Sequence, residues 1–212
     1  MAPCYRGMET LLAGGILARA RREHLTQLPD REGLRVLVLG EGPGRYLETL
    51  LARNAAAKIV VVENSARMIE AAGRAIGSVG RRRVEFLHRD ATRWEPEPGA
   101  FDVVATHFFL DCFPAAVLAE RVPRWSSGLA VGGVWLVSDF QVPEQGWRGL
   151  RARWIHALMY AFFRVATGLE AQRWTDPDPF LEGAGLRLEA RTRLNHGLVR
   201  SDLWRKVGSP ES

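Results

Sequence analysis

Two hydrophobic patterns alternate along this chain. Short uninterrupted apolar runs, as in RVLVL at 35–39 and KIVVV at 58–62, are typical of strands that are buried on both faces. They are followed by segments whose apolar residues recur every three or four positions, which indicates helices with one buried face. The first such helices are predicted at 44–54 and 65–77, where Ser65 stands at the expected N-cap.

The same alternation continues to the end of the chain. The last two predicted strands alternate polar and apolar residues around an Asn-His-Gly turn signal, which predicts a hairpin. A helix at 114–125 is predicted to break near Pro123, because proline removes a backbone donor. The predicted strands cover residues 34–40, 58–63, 83–88, 101–108, 132–140, 185–194 and 197–206.

Strands and helices that alternate in this way predict an α/β fold. We expect a doubly wound, mostly parallel seven-stranded sheet with helices on both faces and a C-terminal antiparallel hairpin. At 212 residues the chain is predicted to be one domain, 1–212. Two segments stand outside the alternation: an N-terminal helical cap at 1–30, and a strongly apolar helix at 146–168 that is expected on the substrate side.

Composition and charge change this picture little. The chain is 47% hydrophobic and 25% charged, which is typical of a globular protein. Its net charge of +5 comes mainly from arginines, which are dense only at 18–24 and 80–85, and we expect a solvated surface there. Cys4 and Cys112 offer neither a disulfide framework nor metal-ligand spacing, so no metal is expected. Because no secretory signal and no apolar run of bilayer length is visible, a cytoplasmic location is expected.

Three glycines, Gly40, Gly42 and Gly44, follow the first predicted strand, and a predicted helix starts directly after them. A strand, a glycine turn and a helix form a nucleotide site at the carboxyl end of a parallel sheet. The third small residue of a dinucleotide loop is missing, because Arg45 or Leu47 occupies its place, and no Gly-Lys-Ser/Thr sequence follows. The loop is therefore poorly suited to phosphate.

The G-x-G-x-G spacing resembles the first motif of class I S-adenosylmethionine-dependent methyltransferases, whose loop wraps the methionine part of the cofactor. The segments ENSARM at 63–68, HRDA at 88–91 and VGGVWLVSD at 131–139 are similar to later motifs of that family. The family usually carries an acidic residue where this chain has Val38, and Glu41 is expected to supply that charge.

The resemblance implies S-adenosylmethionine as the cofactor and a role for individual residues. Glu63 would accept the ribose hydroxyls, a role that NAD would use equally. Met68 would pack on adenine, with a core position as the alternative, and Asp90 would bind the adenine amine, with a turn position as the alternative. The expected cofactor-binding residues are Gly40, Glu41, Gly42, Gly44, Glu63, Asn64, Met68, Asp90, Ala91 and His107.

The methyl acceptor is predicted to lie after the fourth strand, where the candidate catalytic residues His107 and Asp111 bracket an apolar stretch. A base is needed there only if the acceptor must lose a proton. We expect His107 rather than Asp111 to be that base, since neutral imidazole accepts a proton without a buried negative charge. The alternatives are a hydrogen-bonded core histidine and an aspartate that caps a helix.

The predicted function is S-adenosylmethionine-dependent methyl transfer to a small, largely apolar or aromatic molecule, with a loose similarity to quinone-type small-molecule methyltransferases. The apolar helix at 146–168 also leaves a peripheral membrane contact and a homodimer open. Three other functions remain: an RNA methyltransferase that uses the basic surface, a nicotinamide-dependent oxidoreductase, and a cofactor-binding protein without activity. A nucleic-acid partner is not expected, because the Asn/Asp-Pro-Pro-aromatic tetrad that grips a flipped base is absent.

Overall fold

A seven-stranded sheet forms the centre of the computed structural model, which describes residues 15–29, 32–54, 56–141 and 175–208. Its strands are β1 (Arg35–Leu39), β2 (Lys58–Glu63), β3 (Val84–His88), β4 (Phe101–His107), β5 (Leu129–Phe140), β6 (Leu186–Leu194) and β7 (Val199–Lys206). The strand order is β3-β2-β1-β4-β5-β7-β6. Strands β1 to β5 pair in parallel, and β7 lies antiparallel between β5 and β6. The predicted doubly wound sheet with a C-terminal antiparallel hairpin is confirmed.

Helices cover both faces of this sheet. They are α1 (Ile16–Arg22), α2 (Arg45–Arg53), α3 (Ala66–Arg81), α4 (Ala115–Ser127) and α5 (Asp178–Gly183). One face packs against Leu47 of α2 and Ala72 of α3. The other face packs against Trp125 of α4 and Leu181 of α5. The central strands are therefore buried on both faces, as their uninterrupted apolar runs predict.

The two segments predicted outside the alternation are described only in part. The N-terminal cap is described from residue 15, and the helix predicted at 146–168 lies outside the described residues. In the cap, Leu17 and Ala20 of α1 pack in one cluster with Phe140 at the end of β5. No helix in the described ranges is long and apolar enough to cross a membrane.

Two helices differ from their predicted bounds, and one helix is not predicted. Helix α4 does not break near Pro123 but continues to Ser127. The proline removes one backbone hydrogen bond, whereas Trp125, two residues later, is fully buried and holds the helix on the sheet. The backbone of α3 is not helical at its predicted end, Gly77, where φ is 63° and ψ is −175°, and after this kink a second helical stretch continues to Arg81. The six residues of α5 are too few to show a hydrophobic period.

Several arginines of the two dense clusters are structural. Arg83 donates from Nη1 to the carbonyl oxygen of Asn54 (3.1 Å), at the C-terminal end of α2. Arg81 donates from Nε to the carbonyl oxygen of Gly73 (2.9 Å). Arg21, in the other cluster, is only 8% exposed. The prediction of a solvated face is wrong for Arg21, which lies inside the fold, and holds for Arg81, which is exposed although it also bonds a carbonyl group; Arg83 is half-buried.

Candidate active site

The carboxyl ends of β1 and β4 lie side by side where the strand order reverses. Strand β1 pairs with β2 on one side and with β4 on the other, so the segments that follow β1 and β4 leave in opposite directions. Ligands of doubly wound sheets bind in the crevice that forms at such a point. The glycine loop follows β1 at this edge, and His107 ends β4 there.

The glycines of the loop have different neighbours. A Cβ at Gly44, where φ is +93°, would lie 2.7 Å from the Cα of Ala72, so this glycine allows α2 to pack closely on α3. Gly40 packs against the ring of Phe109. Gly42 has φ of +68°, and a Cβ there would meet no atom within 4 Å. The backbone at Gly42 therefore faces open space, as the close approach of a ligand requires.

Glu41 caps the helix that follows the loop. Its Oε1 accepts hydrogen bonds from the backbone N–H groups of Tyr46 (2.9 Å) and Leu47 (3.3 Å), in the first turn of α2. Because the N-cap residue, Gly44, has no side chain, Glu41 satisfies donors that an N-cap side chain usually satisfies. Burial raises the pKa of Glu41 to about 7, against the opposite effect of these hydrogen bonds. That the other carboxylate oxygen of Glu41 lies beside the methionine ammonium of the cofactor remains a prediction.

Glu41→Ala is expected to be about 1–2 kcal/mol less stable than Glu41→Gln, which is the usual cost of losing a helix cap. The two variants are compared with each other because both lack the buried charge, while the glutamine oxygen still accepts from Tyr46 and Leu47. Urea unfolding of both proteins at one pH measures the difference. Equal stability of the two variants would contradict the capping role.

Glu63, at the end of β2, is joined to the same loop. Its Oε2 accepts a hydrogen bond from the backbone N–H of Gly42 (3.1 Å), and its Oε1 accepts one from the backbone N–H of Ser65 (2.9 Å). Each carboxylate oxygen has a second lone pair, so both can still accept a hydroxyl. Ser65 is the N-cap of α3, as predicted, and its Oγ accepts from the backbone N–H of Met68 (3.4 Å).

Asn64 and Met68 follow Glu63 at the same edge of the sheet. Asn64 is exposed, and its carbonyl oxygen lies 3.1 Å from Nε2 of His88 at the end of β3. Met68 is half-buried in the first turn of α3 and belongs to no core cluster of buried residues. Both positions are compatible with the adenosine contacts that the resemblance implies, which stay predictions.

Asp90 and Ala91 lie in a turn after β3. Oδ1 of Asp90 accepts hydrogen bonds from the backbone N–H (2.9 Å) and the hydroxyl (2.7 Å) of Thr92, so its turn role is confirmed. The buried Ala91 accepts a hydrogen bond at its carbonyl oxygen from Nε1 of Trp125 (3.1 Å). This bond fixes the peptide unit between Ala91 and Thr92, directly after the Ala91 N–H that is predicted to meet adenine.

His107 is buried against α2. Its ring packs edge-on to Tyr46, with the ring centroids 4.3 Å apart. Neither ring nitrogen of His107, nor the hydroxyl of Tyr46, has a hydrogen-bond partner among the described residues. Burial, and after it the positive charge of Arg21, lower the pKa of His107 to about 3, so the imidazole is neutral at pH 7. The alternative of a hydrogen-bonded core histidine is therefore wrong.

Arg21 comes from α1 to the same place, and the sequence pattern does not single it out. Its guanidinium lies 4.9 Å from the ring centroid of Phe108, directly after β4. Phe108 has φ of 56°, which is uncommon for a residue other than glycine and occurs often at functional sites. Arg21 stands beside two other arginines within residues 18–24, and nothing in that run tells which one is buried.

Asp111 is not a helix cap. It lies inside a short 3₁₀ turn, Leu110–Cys112, and its Oδ2 accepts a hydrogen bond from the backbone N–H of Phe140 in β5 (3.3 Å). The thiol of Cys112 donates to Oδ1 (3.6 Å). Burial raises the pKa of Asp111 to about 6. The predicted helix cap is wrong, because the carboxylate accepts from a strand N–H and not from a helix N–H. This hydrogen bond joins the segment after β4 to β5.

Asp139 joins the same two segments from the other side, since it lies in β5 and binds the segment after β4. The sequence does not predict this residue as part of the site. It is fully buried in β5, and its Oδ1 accepts a hydrogen bond from the backbone N–H of Phe109 (3.1 Å). Burial, and next the charge of Asp111, raise the pKa of Asp139 well above its usual range. A carboxylate at the carboxyl end of a predicted strand is a signal that could have found it.

The residues at this edge fit the predicted cofactor. Three features lie around one loop: the open space beside Gly42, and the carboxylates of Glu41 and Glu63. The polar atoms of His107 and Tyr46, which have no partner within the described ranges, lie at the same loop. Over the same ranges, no group of His, Cys, Asp and Glu residues could hold a metal ion. The arrangement can bind a polar ligand that has both charges and hydroxyl groups.

Known proteins are similar to this chain in sequence and in fold. Residues 36–133 match a family described as methyltransferase domain. The chain is 33% identical over 129 residues to the trans-aconitate 2-methyltransferase of Streptomyces avermitilis, and the matched segment covers 59% of this chain and 46% of that protein. It is 31% identical over 159 residues to the trans-aconitate 2-methyltransferase of Variovorax paradoxus, and this matched segment covers 75% of this chain and 53% of that protein.

The chain spans about half the length of these two relatives. Among solved structures, an S-adenosylmethionine-dependent methyltransferase from Mesorhizobium loti has the same fold, with a TM-score of 0.66 and 18% identity. That match covers 88% of this chain and 98% of the other. With its glycine loop at the point where the strand order reverses, this chain belongs to the class I S-adenosylmethionine-dependent methyltransferases.

Proposed function

We propose that this chain transfers the methyl group of S-adenosylmethionine to a small-molecule acceptor. The observation that carries the proposal is the loop between β1 and α2, which is open beside Gly42 and joined by its N–H to the Glu63 carboxylate. When bound, the cofactor supplies a methyl group on a positively charged sulfur. The chain's own task is then to bind both molecules, exclude water and hold the acceptor in line with the methyl group.

Individual residues take the roles that the resemblance implies. Glu63 accepts the ribose hydroxyls, and Asp90 with the N–H of Ala91 binds adenine. The charges of Arg21 and Glu41, which interact across the loop, match the carboxylate and ammonium of an amino acid. The residues proposed to hold the cofactor are Gly40, Glu41, Gly42, Gly44, Glu63, Asn64, Met68, Asp90, Ala91 and His107.

The acceptor is proposed to be largely apolar or aromatic. Phenylalanines surround the place where β4 and β5 end: the ring centroids of Phe108 and Phe140 are 4.9 Å apart, and those of Phe109 and Phe113 are 5.0 Å apart. Aromatic side chains of this kind bind planar apolar groups by stacked and edge-on contacts. The names of the two relatives refer to trans-aconitate, a carboxylic acid, so they support a small-molecule acceptor and not its apolar character.

The acceptor's proton, where one must leave, is proposed to go to Asp111 rather than to His107. A general base works best when its pKa lies near the working pH. The pKa of Asp111, at about 6, meets that condition, whereas that of His107, at about 3, does not. This order reverses the preference that the sequence suggests, because the sequence does not show that His107 is buried beside a positive charge.

The other functions have less support. The burial of Arg21 and the structural role of the half-buried Arg83 reduce the basic surface that an RNA methyltransferase would use. A nicotinamide cofactor would need a small residue where Arg45 or Leu47 stands. A homodimer, a peripheral membrane contact and a cytoplasmic location stay predictions.

S-adenosylhomocysteine, the expected product, should bind and raise the melting temperature, because a ligand of the folded state stabilises it. Glu63→Ala is expected to weaken this binding by about 1.5–3 kcal/mol, the range for hydrogen bonds to a charged group. Isothermal titration calorimetry measures both affinities, with NAD as the competing ligand. Glu85→Ala is the matched control, since Glu85 is an exposed carboxylate on the neighbouring strand β3. Binding of NAD alone, or unchanged affinity in Glu63→Ala, would contradict the assignment.

A further inference from the structure

Glu41 lies among the charged groups that surround the glycine loop. The residue is half-buried, and its Oε1 accepts from the backbone N–H groups of Tyr46 (2.9 Å) and Leu47 (3.3 Å). A protonated carboxyl group keeps an acceptor oxygen, so both hydrogen bonds persist whether or not the carboxyl group carries its proton. Glu41 can therefore cap α2 in either charge state, and its proton can respond to a ligand without loss of the cap.

A second carboxyl group is held by the same loop. The backbone N–H of Gly42, the residue directly after Glu41, donates to Oε2 of Glu63 (3.1 Å). Two carboxyl groups are thus joined to one short segment of backbone, and the negative charge of Glu63 opposes the ionisation of Glu41. Like charges in such a position ionise together more easily when a cation lies beside them.

The remaining titratable groups around Glu41 come from three elements of the described structure. Arg21 of α1 supplies a positive charge, which favours the ionised form of Glu41. Tyr46 of α2, whose pKa is raised by burial, and His107 of β4, whose pKa is lowered to about 3, are both neutral at pH 7. When both are ionised, Glu41 and Glu63 therefore carry one negative charge more than Arg21 neutralises.

The protonation of Glu41 is sensitive to a ligand's charge near neutral pH. Burial, and last the charge of Glu63, raise its pKa to about 7 against the hydrogen bonds and Arg21, so about half of the molecules carry the proton at pH 7. A cation in contact with the carboxyl group would lower this pKa, because it favours the charged form. The amino group of the cofactor is such a cation. The cofactor's carboxylate has a weaker effect on Glu41 if it pairs with Arg21, because charge interactions fall off with distance.

We propose that Glu41 binds the ammonium group of the cofactor as a carboxylate and releases a proton to solvent when the cofactor enters. The O–H bond of the carboxyl group breaks, its electron pair stays on the carboxylate, and water or buffer takes the proton, so no further reactant is needed. A nucleoside without an ammonium group leaves the proton in place. The site thereby distinguishes nucleosides that carry an amino acid from simple nucleosides by charge. This inference rests on the proposed function.

Calorimetry of the wild-type protein counts the released protons. Titrations with S-adenosylhomocysteine at pH 7 in phosphate and in imidazole are compared, because these buffers take up a proton with different heats. We expect release of about half a proton for each bound ligand, and an affinity that rises about tenfold from pH 6 to pH 8. 5′-Methylthioadenosine, which has the adenosine and the sulfur without an ammonium group, should bind with no proton release. No release with S-adenosylhomocysteine, or equal release with both ligands, would overturn the proposal.

Glu41→Gln tests the residue itself. The glutamine oxygen still accepts from Tyr46 and Leu47, but the side chain has no proton to release. The proton release with S-adenosylhomocysteine is expected to disappear, and the affinity should be the same at pH 6 and pH 8. Glu48→Gln is the matched control, because Glu48 is an exposed glutamate in the first turn of the same helix, and it should release protons as wild type does.

The outcomes separate this inference from the proposed function. Unchanged proton release in Glu41→Gln would assign the proton to another group, which overturns the inference and leaves the proposed function intact. If wild-type protein does not bind S-adenosylhomocysteine, the proposed function fails and the inference fails with it. Should Glu41→Gln not fold, the comparison of the two ligands on wild-type protein still decides for or against proton release to the ammonium group.

Discussion

Gly42→Val is expected to abolish the binding of S-adenosylhomocysteine while the protein stays folded. A Cβ at Gly42 would meet no protein atom within 4 Å, so the valine side chain would enter the space beside the loop that the cofactor is proposed to fill. The backbone N–H of Gly42 donates to Glu63, the residue that is proposed to bind the ribose. Because a displaced ligand would lose several hydrogen bonds at once, affinity is expected to fall by about a hundredfold or more.

The matched control for this experiment is Gly33→Val. Gly33 is exposed before β1, has φ of +72°, and has no atom within 4 Å of an added Cβ, so it shares the backbone strain of Gly42 without its position. Both variants are expected to lose about 1–2 kcal/mol of stability from the left-handed conformation. Only Gly42→Val should lose binding in calorimetry. Loss of binding in both variants, or in neither, would show that the loop is not the cofactor site.

The features that sequence predicts well are those that a few neighbouring residues determine. The strand, the glycines at 40, 42 and 44 and the following helix are signalled within residues 34–54, and the structure has them in the predicted order. Ser65 as a helix N-cap depends only on the residues that follow it, and it too is confirmed. Periodicity over the whole chain then fixes the fold class, because only a sheet covered on both faces buries such strands.

The features that sequence does not predict depend on contacts between distant segments. Asp111 in an apolar stretch is equally consistent with a helix cap until β5 is in place, since its acceptor role is to Phe140, 29 residues away. Arg21 is one of several arginines in its helix, and only the packing of α1 near Phe108 makes it part of the site. Arg200 lies in an alternating strand where nothing local indicates that its side chain is buried.

These distant contacts form one connection between the two halves of the site. The backbone N–H of Phe109 donates to Asp139, and the backbone N–H of Phe140 donates to Asp111, so the segment after β4 and the end of β5 hold each other. Phe109 in turn packs against Gly40 of the loop. The position of the acceptor wall is thereby linked to the loop that is proposed to bind the cofactor, as in-line methyl transfer requires.

Asp111→Asn is expected to lower kcat by about 10²–10⁴, the usual contribution of a positioned general base. The pKa of Asp111 is about 6, so the carboxylate is mainly ionised at pH 7 and takes up a proton at little cost. The pKa of His107 is about 3, so its protonation at pH 7 would cost on the order of 5 kcal/mol. Single-turnover transfer of a labelled methyl group to 2-naphthol measures the rate, and the wild-type rate should fall as pH drops below about 6.

Stability distinguishes the loss of a base from the loss of structure. Folding raises the pKa of Asp111 from its usual value of 3.8 to about 6. Ionisation of this group therefore lowers the stability of the protein as pH rises from 3.8 to about 6, and the full loss is present at higher pH. Asp111→Asn carries no charge, keeps an acceptor oxygen for Phe140, and should therefore be at least as stable as wild type at pH 7. His107→Gln should mainly raise KM for the cofactor, with a smaller effect on kcat. If Asp111→Asn transfers methyl groups at the wild-type rate, or if His107→Gln shows the larger loss in kcat, Asp111 is not the base.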